Sequence, residues 1–382
     1  MSFKLYTPLI YMILLVSCTG TGPQRQEIEV KQVVLEEVLS LGDESKGDTI
    51  LFGSIDGIVV NGRGDIFVAE SRPWLVSAFA AEGTYMSPVG AAGEGPGEYQ
   101  YSFLGPAIGP ADSVYLWVGW PFKRIQIYDP KDFSFVRNVR VHLEETDLRA
   151  IHPLIGATKN GWIMSIGLQD ILTSDAGRPF INEDTDRELI VVNREGIYSS
   201  GLLGTMKADE AMYHVYEDSN GFTFREIPFA RATIWAFGAD HMLYYGWNDT
   251  FEINFVSADG STRGVISYDY DPVIITEAEI AQAVDSDDPI TRELFDAYEH
   301  HETKPAFQTF AVDEASKVWV KLSTPEGGTQ AEWLVLDRES QVVGEFTLPL
   351  AVDLKVVQGG YAYGIEQGNG LAPTVVVYEI QE

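Results

Sequence analysis

Gly57-Ile58-Val59-Val60 runs through the turn Asn61-Gly62-Arg63-Gly64-Asp65 into Ile66-Phe67-Val68, and Trp74-Leu75-Val76-Ser77-Ala78-Phe79 passes through Ala81-Glu82-Gly83 into Tyr85-Met86. Short β-branched and aromatic runs broken by Gly, Asn and Asp turns read as strands. Three strands and the start of a fourth, joined by tight turns, make a four-stranded meander.

The unit recurs along the chain. Its second strand returns as Val114-Tyr115-Leu116-Trp117, Trp162-Ile163-Met164, Met242-Leu243-Tyr244, Val318-Trp319-Val320 and Tyr361-Ala362-Tyr363. Its third returns as Ile125 to Tyr128, Leu189 to Val192, Phe251 to Phe255, Trp333 to Leu336 and Val375 to Tyr378. Second strands begin at 66, 114, 162, 242, 318 and 361, so the spacings are 48, 48, 80, 76 and 43. Four-stranded propeller blades occupy about 40 to 50 residues. The two long spacings are then a blade plus an insertion, and the count is six. The sequence predicts an all-β fold, a six-bladed β-propeller of four-stranded antiparallel blades, over residues 28–382.

The last unit stops after its third strand, at Tyr378-Glu379-Ile380. An unpaired outer edge is an aggregation hazard. The Val- and Leu-rich stretch Ile28 to Leu41 is therefore expected to supply the missing outer strand and close the ring. Gln169 to Asp186 reads as a long polar loop. Residues 276–302 read as a helical insertion: Thr276 and Glu279 form a capping box, Ile290, Leu294 and Tyr298 keep near-helical spacing, and Pro289 suits the start of a second helix. His300-His301 reads as exposed helix surface.

Gly93-Glu94-Gly95-Pro96-Gly97-Glu98-Tyr99 resembles the linker between blades of NHL-repeat propellers. Asp65 to Glu70 and Arg124 to Asp129 resemble two strands of the same repeat. The whole chain after residue 27 is similar to a group of bacterial lipoproteins described as six-bladed β-propellers, in which a segment like Pro228-Phe229-Ala230-Arg231 opens a later blade. The resemblance implies a fold and not an activity.

The first residues point to export. Lys4 precedes the apolar run Leu5 to Val16, and Ser17-Cys18 closes it, the pattern of a secretory signal peptide. The run is short for a bilayer span. Leu15-Val16-Ser17-Cys18 resembles a lipobox, which implies cleavage after residue 17 and acylation of Cys18, the chain's one cysteine. Thr19 in place of Asp implies, by the family's sorting rule, the outer membrane. Residues 18–27 then form a flexible tether, and the expected location is the cell envelope, with the lipid bilayer engaged through the acylated Cys18.

With 26 basic and 57 acidic residues the formal charge is −31. Such a field repels phosphate backbones and excludes nucleic acid as a partner. The loops joining fourth to first strands, and second to third, share one face of a propeller. That face is expected to gather Glu70, Arg72, Glu94, Glu98, Trp120, Phe122, Lys123, Trp247, Asn248 and Asp249, with Asp56, His152 and Arg231 near the channel. Carboxylates, an arginine and aromatics around a concave mouth suit a small polar or glycan-like ligand, or an envelope protein partner. Asp56, Glu98, Asn248 and Asp249 are also calcium-ligand types, so the alternative is a calcium-dependent lactonase or esterase. No zinc-ligand spacing, Gly-x-Ser-x-Gly elbow, haem-attachment motif or phosphate loop occurs. A non-catalytic, membrane-anchored binding propeller with no cofactor is the expectation.

Overall fold

The computed structural model describes residues 30–71, 73–100, 105–119, 122–142, 150–167, 179–181, 186–199, 203–215, 222–283, 291–292, 295, 298, 300–368 and 372–381. Among these, no helix is long and apolar enough to cross a membrane.

Six antiparallel blades follow one another along the chain. Blade 1 is Gly57–Val60, Ile66–Ser71, Trp74–Phe79 and Tyr85–Pro88; blade 2 is Ala107–Ile108, Val114–Val118, Arg124–Tyr128 and Phe135–Arg140. Blade 3 is Ala150–Thr158, Gly161–Gly167 and Asp186–Asn193, with an outer edge split between Tyr198–Ser199 and Thr205–Lys207. Blade 4 is Thr233–Phe237, Met242–Trp247, Glu252–Ser257 and Arg263–Ser267; blade 5 is Phe307–Val312, Val318–Leu322, Gln330–Leu336 and Val342–Pro349. Blade 6 takes Val352–Gln358, Tyr361–Glu366 and Thr374–Gln381 from the end of the chain and its outer strand, Val34–Leu41, from the beginning.

The second strands read from the sequence are the second strands of the blades. They are recognisable because a blade's middle strands are covered on both faces: Ile66, Leu116, Ile163, Leu243 and Val320 are all fully buried. The apolar core is divided accordingly. Each of the six interfaces, including the one between blades 6 and 1, has its own buried cluster. At the closing interface Leu41, Val375 and Val377 meet Ile58, Ile66 and Val68. Burying side chains of this size contributes roughly 1.5–3 kcal/mol each.

Ring closure is more extensive than expected. Val34 pairs with Gln381 and Leu41 with Val375, antiparallel, as a closing strand should. Just before it, Lys31–Gln32 pairs in parallel with Gly344 and Glu345 on the outer edge of blade 5, and the Gln32 amide donates to the Glu345 carboxylate. The N-terminal segment is therefore a strap across two blades.

The linker between blades 1 and 2 shows why its glycines are needed. Gly90 has φ +76, and a Cβ there would lie 2.6 Å from the Tyr128 hydroxyl and 2.8 Å from the Gly97 carbonyl. Tyr99, fully buried, accepts from Val76 N–H at 2.9 Å and donates to the Val89 carbonyl at 2.9 Å.

The insertions depart from the expectation. Within the stretch read as a polar loop, Pro179–Ile181 forms a strand on Ala211–Val215, which pairs in turn with Phe222–Glu226; Asp186 already belongs to blade 3. This small sheet depends on partners some 30 residues away, which no local pattern announces. In the second insertion the described helix is Glu277–Ala283, opened as expected by Thr276 and Glu279. Pro289 lies outside the described residues. The two insertions pack on each other: Met212 and Ile227 meet Phe295 and Tyr298 in a seventh buried cluster.

Candidate functional site

The first strands of the blades surround a central channel of about 580 Å³. Its lining mixes polar and apolar surface, and the side chains of Ile58, Leu154 and Phe310, which are among the lining residues, are packed into the blade interfaces behind it. Among them stand Asp56, Asp112, His241, Gln308, Asp353 and Lys355. A strand exposes alternate residues on opposite faces, and blade 6 illustrates it: Val352 and Leu354 are buried while Asp353 and Lys355 line the channel.

The channel has two distinct mouths. Inner strands begin at the mouth formed by the long loops and both insertions, and they end at the mouth formed by short turns. Asp56 and Asp353 lie toward the first, Asp112, His241 and Gln358 toward the second. The carboxylate of Asp353 accepts from the buried Lys321 ammonium at 2.8 Å and lies 3.7 Å from that of Lys355. Lys321 also donates to the carbonyls of Leu350 and Val352. Asp56 accepts from the Ser71 hydroxyl at 2.9 Å, and Asp112 from the Gly62 N–H at 2.8 Å. Neither of these two carboxylates has an ion-pair partner among the described residues.

Glu70, beside the first mouth, is 6% exposed and accepts from the Gly53 N–H at 3.2 Å. Burial pushes its carboxyl above the usual range; the Gly53 hydrogen bond opposes this, and the Asp56 charge adds to it. A raised folded-state value means that the native protein holds a proton which the unfolded chain releases first. Stability therefore falls as pH rises from the ordinary carboxyl range through the folded-state value. Glu70→Gln keeps an acceptor for Gly53 and removes the charge. Urea unfolding should find it more stable than wild type at pH 8, with the difference shrinking toward pH 4. Equal gaps at both values would contradict this.

Of the remaining sequence-derived residues, Glu94 and Glu98 belong to the linker. Glu98 caps the Gly95 N–H at 2.9 Å, Glu94 accepts from Gln100, and Arg124 reaches the carbonyls of Glu94, Gly95 and Glu98 while stacking on Phe122. Lys123 occupies the adjoining turn with φ +48. Trp247 lies under the Lys207 ammonium, 5.1 Å from ring centre to nitrogen.

Arg231, Asn248 and Asp249 form a group at the base of the second insertion. Arg231 is 2% exposed; it donates to the Asp249 carboxylate at 2.7 Å, to the Phe229 carbonyl at 3.1 Å and to the Thr303 carbonyl at 2.9 Å. Asn248 is buried, accepting from Ala232 N–H at 2.8 Å and donating to the Phe307 carbonyl at 3.2 Å. His301 does not lie on exposed helix surface: it bonds the Glu210 carboxylate at 2.9 Å, and Glu210 also accepts the Arg231 N–H. Lys304, also buried, pairs with Glu279 and donates to the Thr324 carbonyl.

Among the described residues, Asp56 is thus the one sequence-derived candidate that lines the channel. Arg72, Trp120 and Cys18 lie outside the described residues; His152 falls in the first strand of blade 3, its side chain outside the description. Asp56, Glu98, Asn248 and Asp249 each have a protein partner, and among the described residues no group of three or more His, Cys, Asp or Glu is arranged to hold a metal ion. The reading missed Asp353 and Lys355, although polar residues at i and i+2 within Val352-Asp353-Leu354-Lys355-Val356 carry the signal of a channel-facing strand.

Fold and cavity together define a six-bladed β-propeller with an open, mixed polar and apolar channel. No family model and no curated protein matches the chain. Solved structures do. A Bacteroides fragilis protein described as exported aligns with TM-score 0.51 and 11% identity over 92% of this chain and 96% of that one. A member of the DUF4221 family from Bacteroides vulgatus aligns with TM-score 0.48 and 10% identity over 93% and 100%. Virginiamycin B lyase from Staphylococcus aureus aligns with TM-score 0.44 and 10% identity over 92% and 100%. At such identities the likeness is one of fold alone.

Proposed function

We propose that the protein is an exported, lipid-anchored propeller that binds a small polar ligand in its central channel, without catalysis. The observation carrying this reading is the channel: a concavity of about 580 Å³ whose lining mixes apolar surface with acidic, basic and amide side chains. Small-molecule sites have this size and mixture, apolar surface giving affinity and sparse polar groups giving orientation. The likeness to an exported propeller and the Leu15 to Cys18 motif support export and anchoring. The strongly acidic chain keeps its body off anionic lipid, so the acyl group would be the attachment.

Gln308 is exposed and lines the channel. Gln308→Trp should obstruct it without disturbing a blade core. Native mass spectrometry of protein released gently from its own envelope should show a small-molecule adduct on wild type and its loss, at least tenfold, in the variant. The bare mass for wild type, or equal adducts on both, would overturn the reading.

A further inference from the structure

The direction of the strap orients the molecule. In blade 5 the fourth strand, Val342–Pro349, starts from the short turn at Asp337 to Gln341 and ends at the connection to the first strand of blade 6. It therefore runs from the short-turn face to the insertion-bearing face. Lys31–Gln32 runs parallel to it, with Lys31 opposite Gly344 in its lower part. The next segment agrees: Val34 pairs with Gln381, where the third strand of blade 6 reaches the short-turn face, and Leu41 pairs with Val375 at the other end. Both pieces of the strap thus run the same way. Residue 30 consequently leaves the ring at the outer rim of its short-turn face, between blades 5 and 6.

From this polarity we infer that the anchored protein turns its short-turn face to the bilayer and presents the opposite face, with both insertions and the Asp56 mouth, to the aqueous side. The inference rests on anchoring at Cys18. Residues 18–29 are 12 in number and reach at most about 40 Å. Blade strands of up to nine residues make the ring about 30 Å thick. Inversion would draw more than half the tether's reach along the side of blade 5 and press the insertions toward lipid. The upright arrangement needs neither.

Glu339 and Glu326 are exposed turn residues on opposite faces of the same blade. Neither side chain has a described partner or a place in the channel. Glu339→Cys and Glu326→Cys, made in the full-length chain, can be labelled with a maleimide fluorophore and bound to vesicles of neutral lipid containing a nitroxide-headgroup quencher. The label at 339 should be quenched at least threefold more than that at 326. Equal quenching, or stronger quenching at 326, would overturn the inference. Wild type serves as the separate control: a lipidated Cys18 takes no label and the protein floats with vesicles. If wild type is labelled and stays in solution, anchoring itself has failed. A second arm decides orientation in that event too, with residues 19–382 held through an N-terminal hexahistidine on nickel-chelating lipid and the same two positions compared by the same criteria.

Discussion

Deletion of residues 30–41 is expected to abolish cooperative folding of the propeller. The deletion removes the fourth strand of blade 6 and the added edge strand of blade 5 together. Leu41 leaves the buried cluster between blades 6 and 1, and Leu35 and Leu39 leave its borders and those of the neighbouring cluster. At roughly 1.5–3 kcal/mol for a fully buried side chain and less for the others, the apolar loss is on the order of 5 kcal/mol. That is comparable to the whole stability of many domains. The third strand of blade 6 would also expose its backbone groups as an open edge. Thermal unfolding followed by circular dichroism should lose its sharp transition, and the truncated protein should recover it when a peptide of residues 30–41 is supplied. A truncated chain that melts sharply at the wild-type temperature would refute the closure. Leu41→Ala offers a milder form, with a cost of about 2–3 kcal/mol.

The second large effect is expected at Arg231. Its guanidinium holds the base of the second insertion through the carbonyls of Phe229 and Thr303 and the Asp249 carboxylate. Replacing it with Met leaves two partly buried carbonyls without that donor, and charged hydrogen bonds of this kind are worth about 1.5–3 kcal/mol each. A loss on the order of 3 kcal/mol is the expected result in urea unfolding. Asp249→Asn tests the account from the other side. The Asp249 side chain is 48% exposed, so solvent screens its half of the ion pair and the cost should stay below about 1 kcal/mol. Equal losses for the two variants would mean that the ion pair, and not the carbonyl contacts, fastens the insertion. Limited proteolysis within 276–302 should accelerate in Arg231→Met and hardly change in Asp249→Asn.

These expectations indicate which parts of the molecule the sequence could reveal. Second and third strands such as Val114–Val118 and Gln330–Leu336 are covered by neighbouring blades, and burial on both faces writes itself as dense β-branched and aromatic runs. The missing edge at Ile380 and the spare Val- and Leu-rich segment before Leu41 made closure legible. First strands are less visible because one face lines the channel and carries residues such as Asp353 and Lys355. The meeting of Met212 and Ile227 with Phe295 and Tyr298 joins segments about 80 residues apart, a relation without local periodicity. Charged loop residues carry a second, structural role that sequence alone does not separate from ligand contact. Glu94, Glu98 and Arg231 have the chemistry of ligand contacts, yet their hydrogen bonds hold a linker and an insertion in place.

The channel is proposed to hold a ligand. A crystal structure of the mature protein, purified from its own envelope without exhaustive dialysis, tests it most directly. Connected density for one small molecule is the expected result, within reach of the polar groups of Asp56, Asp353 and Lys355. Separate peaks of ordered water throughout the channel, with the same small molecule bound elsewhere on the propeller, would contradict it.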